Sequence, residues 1–269
     1  MTPVRLVVSD VDGTLVQPDK SLSPGTIAAA GRLRDAGVPL AIVSARPPRG
    51  MLWIADALGL SGRLAGFNGG TIMMPDGTVV AERRLPREAG RAALDLFLRN
   101  GVSAWLFTAD EWLAQDPQGP NMERERHTVR FMERIVESYE PYMDQIGKIV
   151  GVTDDAPLLA RMEAELQVLL GGTANAQRSQ TYYLDVTHRD ADKGNAVRML
   201  AAEFGVGLAE VAVLGDMAND LPMFAVAGFA VAMGNATDEV KARASAVTAA
   251  NDGDGWAQAV DRLILPRGH

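Results

Sequence analysis

The feature that most constrains this chain is an apolar run that ends in two acids. Val4 to Val8 is followed by Ser9, Asp10, Val11, Asp12, Gly13 and Thr14. A short apolar stretch bounded by Asp-Gly reads as a buried strand running into a loop. Asp10 and Asp12 then stand at the carboxyl end of the strand, the edge at which open α/β sheets bind ligands. Two carboxylates one residue apart repel each other unless a cation or a proton lies between them. An Asp-Gly turn flanked by solvated acids has the same local sequence, so the rest of the chain has to separate the two readings.

The same pattern recurs downstream. Ser23-Pro24 supplies an N-cap and a first helical residue, Ile27, Ala30 and Leu33 share one face, and Gly37 closes the helix. Val38 to Val43 is a second buried strand, and it too ends in a polar cluster, Ser44-Ala45-Arg46. Strand, helix and strand in such close succession suggest a parallel unit with a right-handed crossover. A helix from Gly50 to Leu58 leads to a third strand, Leu64 to Phe67, which ends in Asn68-Gly69-Gly70. Ile72 to Val80, around Pro75-Asp76-Gly77, reads as a hairpin turning away from the core.

From Leu85 to Thr187 the character changes. Arg87 to Arg99 is an amphipathic helix, and Val102 to Phe107, Glu111 to Ala114, Lys148 to Val152 and Thr181 to Val186 are short strands. Asp155 caps a helix that Gly171-Gly172 ends. Pro117 to Arg130 mixes acids and bases and reads as a polar loop with a solvated face. A helix at Lys193 to Phe204 then returns to the first pattern, with strands at Val211 to Leu214, Phe229 to Met233 and Ala246 to Thr248. The expected fold class is α/β: residues 1–84 and 188–269 form a parallel-sheet domain, and residues 85–187 form an α+β block inserted into it, about one hundred residues in size.

Composition narrows the chemistry. The formal net charge of −8 disfavours a nucleic-acid backbone or an anionic membrane surface as partner. There is no cysteine, which removes disulfides, thiolate metal sites and cysteine nucleophiles. No apolar run approaches the roughly 20 residues of a membrane span, and no signal-peptide pattern opens the chain, so the expected location is cytoplasmic. Nothing in the sequence specifies an oligomeric state.

Three further clusters join the opening pair. Ser44 follows the second strand. Lys193 begins a helix in Asp190-Ala191-Asp192-Lys193-Gly194-Asn195, and Gly215-Asp216-Met217-Ala218-Asn219-Asp220 follows a later strand. If the strands are parallel, all of these fall on one edge of the sheet. That edge holds several acids, a lysine and a hydroxyl. Hard oxygen ligands suit Mg²⁺, and acids with a divalent cation and a lysine provide the charge compensation a phosphate needs.

In this order the four clusters resemble the motifs of the haloacid dehalogenase superfamily of phosphatases. The large insertion between the second and third clusters is similar to that of the Cof-type branch with its C2B cap. Asn68-Gly69-Gly70 resembles that branch's Asn-Gly-Ala, and Val231-Ala232-Met233-Gly234-Asn235-Ala236 resembles its Val-Ala-Met-Gly-Asn-Ala. The resemblance implies a Rossmann-like core domain, a cap domain at 85–187, and hydrolysis of small phosphorylated metabolites, sugar phosphates above all. It implies Asp10 as nucleophile, forming an aspartyl-phosphate, and Asp12 as the acid and base. Mg²⁺ would be held by the Asp10 carboxylate, the Asp12 carbonyl and Asp216. Ser44 and Lys193 would bind the phosphoryl group with Asn68 and Asn219 near it, and Asp220 would orient Lys193 or the metal's waters. Asp220 could equally serve as a helix N-cap. Arg46 reads as a surface arginine, His127 and His188 as surface or substrate-lining residues of the cap, and the four tryptophans as packing residues. Two other activities suit the same motifs: a phosphotransferase or phosphomutase, and a non-catalytic phosphometabolite-binding module.

Overall fold

Strands without polar alternation have to be covered on both faces, and that requirement organises the molecule. The computed structural model describes residues 2–267. The chain begins with β1 (Leu6–Ser9), α1 (Pro24–Asp35), β2 (Leu40–Val43), α2 (Leu52–Leu58), β3 (Leu64–Gly66), β4 (Thr71–Met73) and β5 (Val79–Glu82). A second set follows: α3 (Arg87–Arg99), β6 (Ser103–Phe107), β7 (Trp112–Ala114), α4 (Met122–Val129), β8 (Arg134–Ile135), β9 (Lys148–Val152), α5 (Ala156–Leu170), β10 (Ala174–Gln180) and β11 (Tyr183–His188). The chain closes with α6 (Lys193–Glu203), β12 (Val211–Gly215), α7 (Leu221–Val226), β13 (Phe229–Ala232), α8 (Asp238–Arg243), β14 (Ala246–Val247) and α9 (Gly255–Ala259).

The first and last sets build one eight-stranded sheet in the order β14-β13-β12-β1-β2-β3-β4-β5. It is parallel from β14 to β3. Every residue of β1, β2 and β12 is buried. Val7, Ile42 and Leu214 face a core shared with Leu33 of α1 and Trp256 of α9, whereas Val8, Val43 and Val213 face one shared with Val197 of α6 and Met223 of α7. Side-chain alternation along each strand produces the two cores. The hairpin β4–β5 does not turn away from the core, as its turn residues suggested. It extends the same sheet antiparallel at the β3 edge, because the paired backbone of β4 finds its partners there.

The middle set builds a six-stranded sheet in the order β10-β11-β9-β6-β7-β8. Alternation sorts its faces as well. Leu106, Ile149, Leu184 and Val186 pack with Phe97 of α3 and Leu159 of α5. Trp105, Phe107, Val150 and Tyr183 point the other way, into an aromatic cluster that also contains Phe67 from the end of β3. The helix caps read from the sequence form: Ser23 and Asp155 accept hydrogen bonds from the N–H groups of Thr26 (2.9 Å) and Leu158 (2.8 Å), and Asp192 caps α6 in the same way, accepting from Asn195 (3.0 Å). Pro117 to Arg130 departs from the sequence reading. Its second half is the helix α4, and Met122, Glu125, Thr128 and Val129 are buried on its inner face. Among the described residues no helix is long and apolar enough to cross a membrane.

Candidate active site

Parallel pairing of β12, β1 and β2 brings their carboxyl ends side by side, so Asp10, Ser44 and Asp216 meet at one edge. Lys193, first residue of α6, enters from below; its side chain is 1% exposed. Its Nζ donates to Asp10 Oδ1 at 2.5 Å and to Asp220 Oδ1 at 2.6 Å. Burial alone would lower the lysine's pKa, but Asp10 and Asp220 outweigh it and hold the ammonium charged. Asp220 is fully buried, and its Oδ2 accepts from the backbone N–H groups of Asp216 (2.7 Å) and Met217 (2.9 Å). Both of its oxygens are therefore occupied. It shapes the loop and anchors Lys193; the side-chain N-cap of the following helix that its position suggested does not form, because both oxygens are spent on these partners.

Asp216 receives Thr14 Oγ1 at 3.2 Å and Asn235 Nδ2 at 3.2 Å. Gly13 lies against it with φ +81°, and a β-carbon there would stand 2.2 Å from Asp216 Oδ2. Only glycine permits that approach. Burial pushes Asp10 up to about 7, opposed by Lys193 and reinforced by Asp220. Burial likewise pushes Asp216 up to about 8, with Asp10 and Asp220 adding to it. Oxygens of Asp10, Asp216 and Asp220 lie within 4.8 Å of one another. One lysine cannot neutralise three carboxylates. A hard divalent cation fits this set, and Asp10 and Asp216, whose oxygens are less committed than those of Asp220, fit it as ligands.

Asp12 is not free. Arg46 grips it with Nε to Oδ2 at 2.6 Å and Nη2 to Oδ1 at 2.8 Å, and Lys20 Nζ reaches Oδ1 at 2.7 Å. Burial alone would raise this carboxyl; the charge of Arg46, with Lys20 behind it, reverses the shift and holds it well below the usual carboxylate range. Arg46 is thus a buried residue and not the surface arginine expected. Its Nη1 also donates to the carbonyl of Thr128 on α4 at 2.9 Å. The bidentate fork repays desolvation of the guanidinium. Ser44 Oγ accepts from the Arg46 N–H at 3.1 Å, and Asn68, in left-handed backbone geometry with φ 57°, donates its N–H to the Ser44 carbonyl at 2.8 Å. Asn219 Nδ2 approaches Asn68 Oδ1 at 3.5 Å, while Asn219 Oδ1 is buried and has no partner among the described residues.

These groups open into a cavity of about 60 Å³ roofed by the six-stranded sheet. Asp10, Asp12, Ser44 and Asn219 line it from one side, and Glu125, Lys148 and Tyr183 from the other. The roof residues carry no motif. Their one sequence signal is period: Lys148 shares a strand face with Val150, and Glu125 shares a helix face with Met122 and Val129. His127 is exposed and binds the Asp19 carbonyl at 2.9 Å, and His188 contacts the Asp190 N–H at 3.1 Å; neither lines the cavity.

Comparison with known proteins agrees with this arrangement. A family model described as haloacid dehalogenase-like hydrolase matches residues 7–260. An HMP-PP phosphatase of Yersinia pestis (strain Pestoides F) is 30% identical over 237 residues, covering 88% of this chain and 86% of that protein. The 5-amino-6-(5-phospho-D-ribitylamino)uracil phosphatase of Bacillus subtilis (strain 168) is 25% identical over 287 aligned positions, 97% of this chain and 98% of that protein. The crystal structure of a haloacid dehalogenase-like hydrolase from Bacteroides thetaiotaomicron superposes with a TM-score of 0.86 at 30% identity, covering 97% of this chain and 99% of that one.

Proposed function

The chain belongs to the haloacid dehalogenase-like hydrolases, and on that premise we propose that it is a Mg²⁺-dependent phosphatase that hydrolyses small phosphorylated metabolites, sugar phosphates among them, through an aspartyl-phosphate on Asp10. The observation that carries this reading is the buried cluster in which Lys193 bridges Asp10 and Asp220 beside Asp216, with Asp10 at the wall of a cavity. A structural ion pair does not require two further carboxylates left short of positive charge.

Asp10 Oδ attacks phosphorus, and the bond from phosphorus to the leaving oxygen breaks. Lys193 fixes the nucleophile and offsets the phosphoryl charge, and the Ser44 hydroxyl, with Asn219 and Asn68 beside it, donates to the phosphoryl oxygens. Asp12, held as a carboxylate by Arg46 and Lys20, has first to lose the Arg46 fork and take up a proton from solvent, and it then gives that proton to the leaving oxygen. It then takes a proton from the water that attacks the phosphoenzyme, releasing inorganic phosphate and restoring Asp10. Bound Mg²⁺, held by the Asp10 carboxylate, the Asp12 carbonyl and Asp216, would supply the remaining positive charge. Asp220 keeps Lys193 and the Asp216 loop in place. Residues 85–187 act as the cap domain that shields the phosphoryl group from bulk water.

Release of inorganic phosphate from p-nitrophenyl phosphate and from a panel of phosphorylated metabolites tests the reading. Activity should require Mg²⁺, disappear with EDTA, and be absent in Asp10→Asn. Full turnover in metal-free protein or in Asp10→Asn overturns it. Accumulation of an isomerised ester in place of phosphate would mark a mutase.

A further inference from the structure

The cations around the cavity are already occupied. Arg46 is held by Asp12 and the Thr128 carbonyl, and Lys20 by Asp12. Lys148 Nζ donates to the Ala45 carbonyl at 2.8 Å and to Asp185 Oδ2 at 3.2 Å. Arg124 stacks over the Tyr182 ring, 4.3 Å from its centroid, and donates to Asn121. Lys20, Arg46 and Lys148 are therefore each paired with a carboxylate, and Arg124, exposed on α4, is engaged by neutral groups.

Glu125 is the converse case. It is 6% exposed and lines the cavity from α4; burial raises its pKa, and the nearby charges of Lys148 and Arg46 oppose the rise without a direct ion pair among the described residues. Its recorded bond is a neutral one: Tyr183 Oη donates to Oε2 at 3.1 Å. Tyr183 is itself fixed edge-on against Trp105 and Tyr182, so the carboxylate is held in place from behind. The other oxygen has no hydrogen-bond partner among the described residues and is not sealed from the cavity, so it is open to a donor on a ligand that enters there.

We infer that Glu125 selects the leaving group: it accepts a hydrogen bond from an O–H or N–H of the phosphate ester and excludes esters that carry a second anionic group at that position. The inference rests on the reading of Asp10 as the phosphoryl end of the cavity. Because like-charge juxtaposition opposes an anionic leaving group while an unpaired acceptor opposes an apolar one, the discrimination should be large.

Glycerol 3-phosphate and 3-phosphoglycerate form a matched pair, differing in a hydroxymethyl group against a carboxylate. Binding of each is measured by calorimetry with Mg²⁺ in an Asp10→Asn background, where binding is read without turnover, with Glu125 intact or as Glu125→Gln. Glycerol 3-phosphate should bind at least about tenfold tighter with Glu125 intact, and Glu125→Gln should bring the two within about threefold. Tyr183→Phe, which frees the carboxylate without removing it, should give an intermediate ratio. A ratio that is the same with and without Glu125, a preference for 3-phosphoglycerate, or no binding of either ester overturns the inference. Selective binding by a protein that releases no phosphate would instead refute the phosphatase reading and leave this one standing.

Discussion

The Asp12–Arg46 pair can be tested by a double-mutant cycle of Asp12→Asn, Arg46→Met and the combination. The Arg46 side chain is 3% exposed and that of Asp12 17%, with contacts of 2.6 and 2.8 Å. Removing one partner of a buried pair costs about 3–5 kcal/mol. Asp12 keeps Lys20 at 2.7 Å when Arg46 is lost, so the coupling belongs near or below the lower limit, about 2–3 kcal/mol. Loss of the donor to the Thr128 carbonyl occurs whenever Arg46 is replaced and cancels from the cycle. Urea denaturation at neutral pH reads each corner. The sign with pH follows from Asp12 being held low: its contribution is present above the ordinary carboxylate pKa and lost as pH falls through the depressed folded value. The coupling should therefore stay constant from about pH 5 to 8. A coupling below about 0.5 kcal/mol, or one that titrates within that interval, would refute the reasoning.

Three other outcomes are expected. Asp10 and Asp216 are raised to about 7 and about 8, so metal-free protein loses stability as pH rises through these values, and the increase in Tm on adding Mg²⁺ should be larger near pH 8 than near pH 5.5; equal increases in differential scanning fluorimetry would contradict the metal assignment. Asp12→Ala should give a burst of nitrophenol and then stall as phosphorylated Asp10, while losing about 10²–10⁴-fold on a sugar phosphate; equal losses on both esters by rapid-quench kinetics would show that the acid lies elsewhere. Gly13→Ala puts a methyl group where Asp216 Oδ2 stands, at a positive φ, and should weaken Mg²⁺ binding by about 10–100-fold; unchanged affinity by calorimetry would remove Asp216 from the ligand set.

The floor of this site was legible along the chain. Asp10, Ser44 and Asp216 each come within two residues of a short, mainly apolar run, and such runs become parallel strands covered on both faces. Once parallel, their carboxyl ends can only lie along one edge, whatever the distances in sequence. Capping residues and glycines, which act through local backbone geometry, marked the helix ends at Ser23 and Asp155. The roof was set by packing between distant segments. β10 has a mostly polar, half-buried pattern and shows as a strand only through its pairing with β11. The helix α4 has charges on every turn, and its inner face is defined by the sheet it covers. Arg46 looks like any arginine beside prolines until the fold brings Asp12 and the Thr128 carbonyl to its guanidinium. Period and local bonding can be read along a chain, because they involve near neighbours. The partner of a buried charge cannot, because burial and charge compensation depend on residues that meet only when the two sheets pack together.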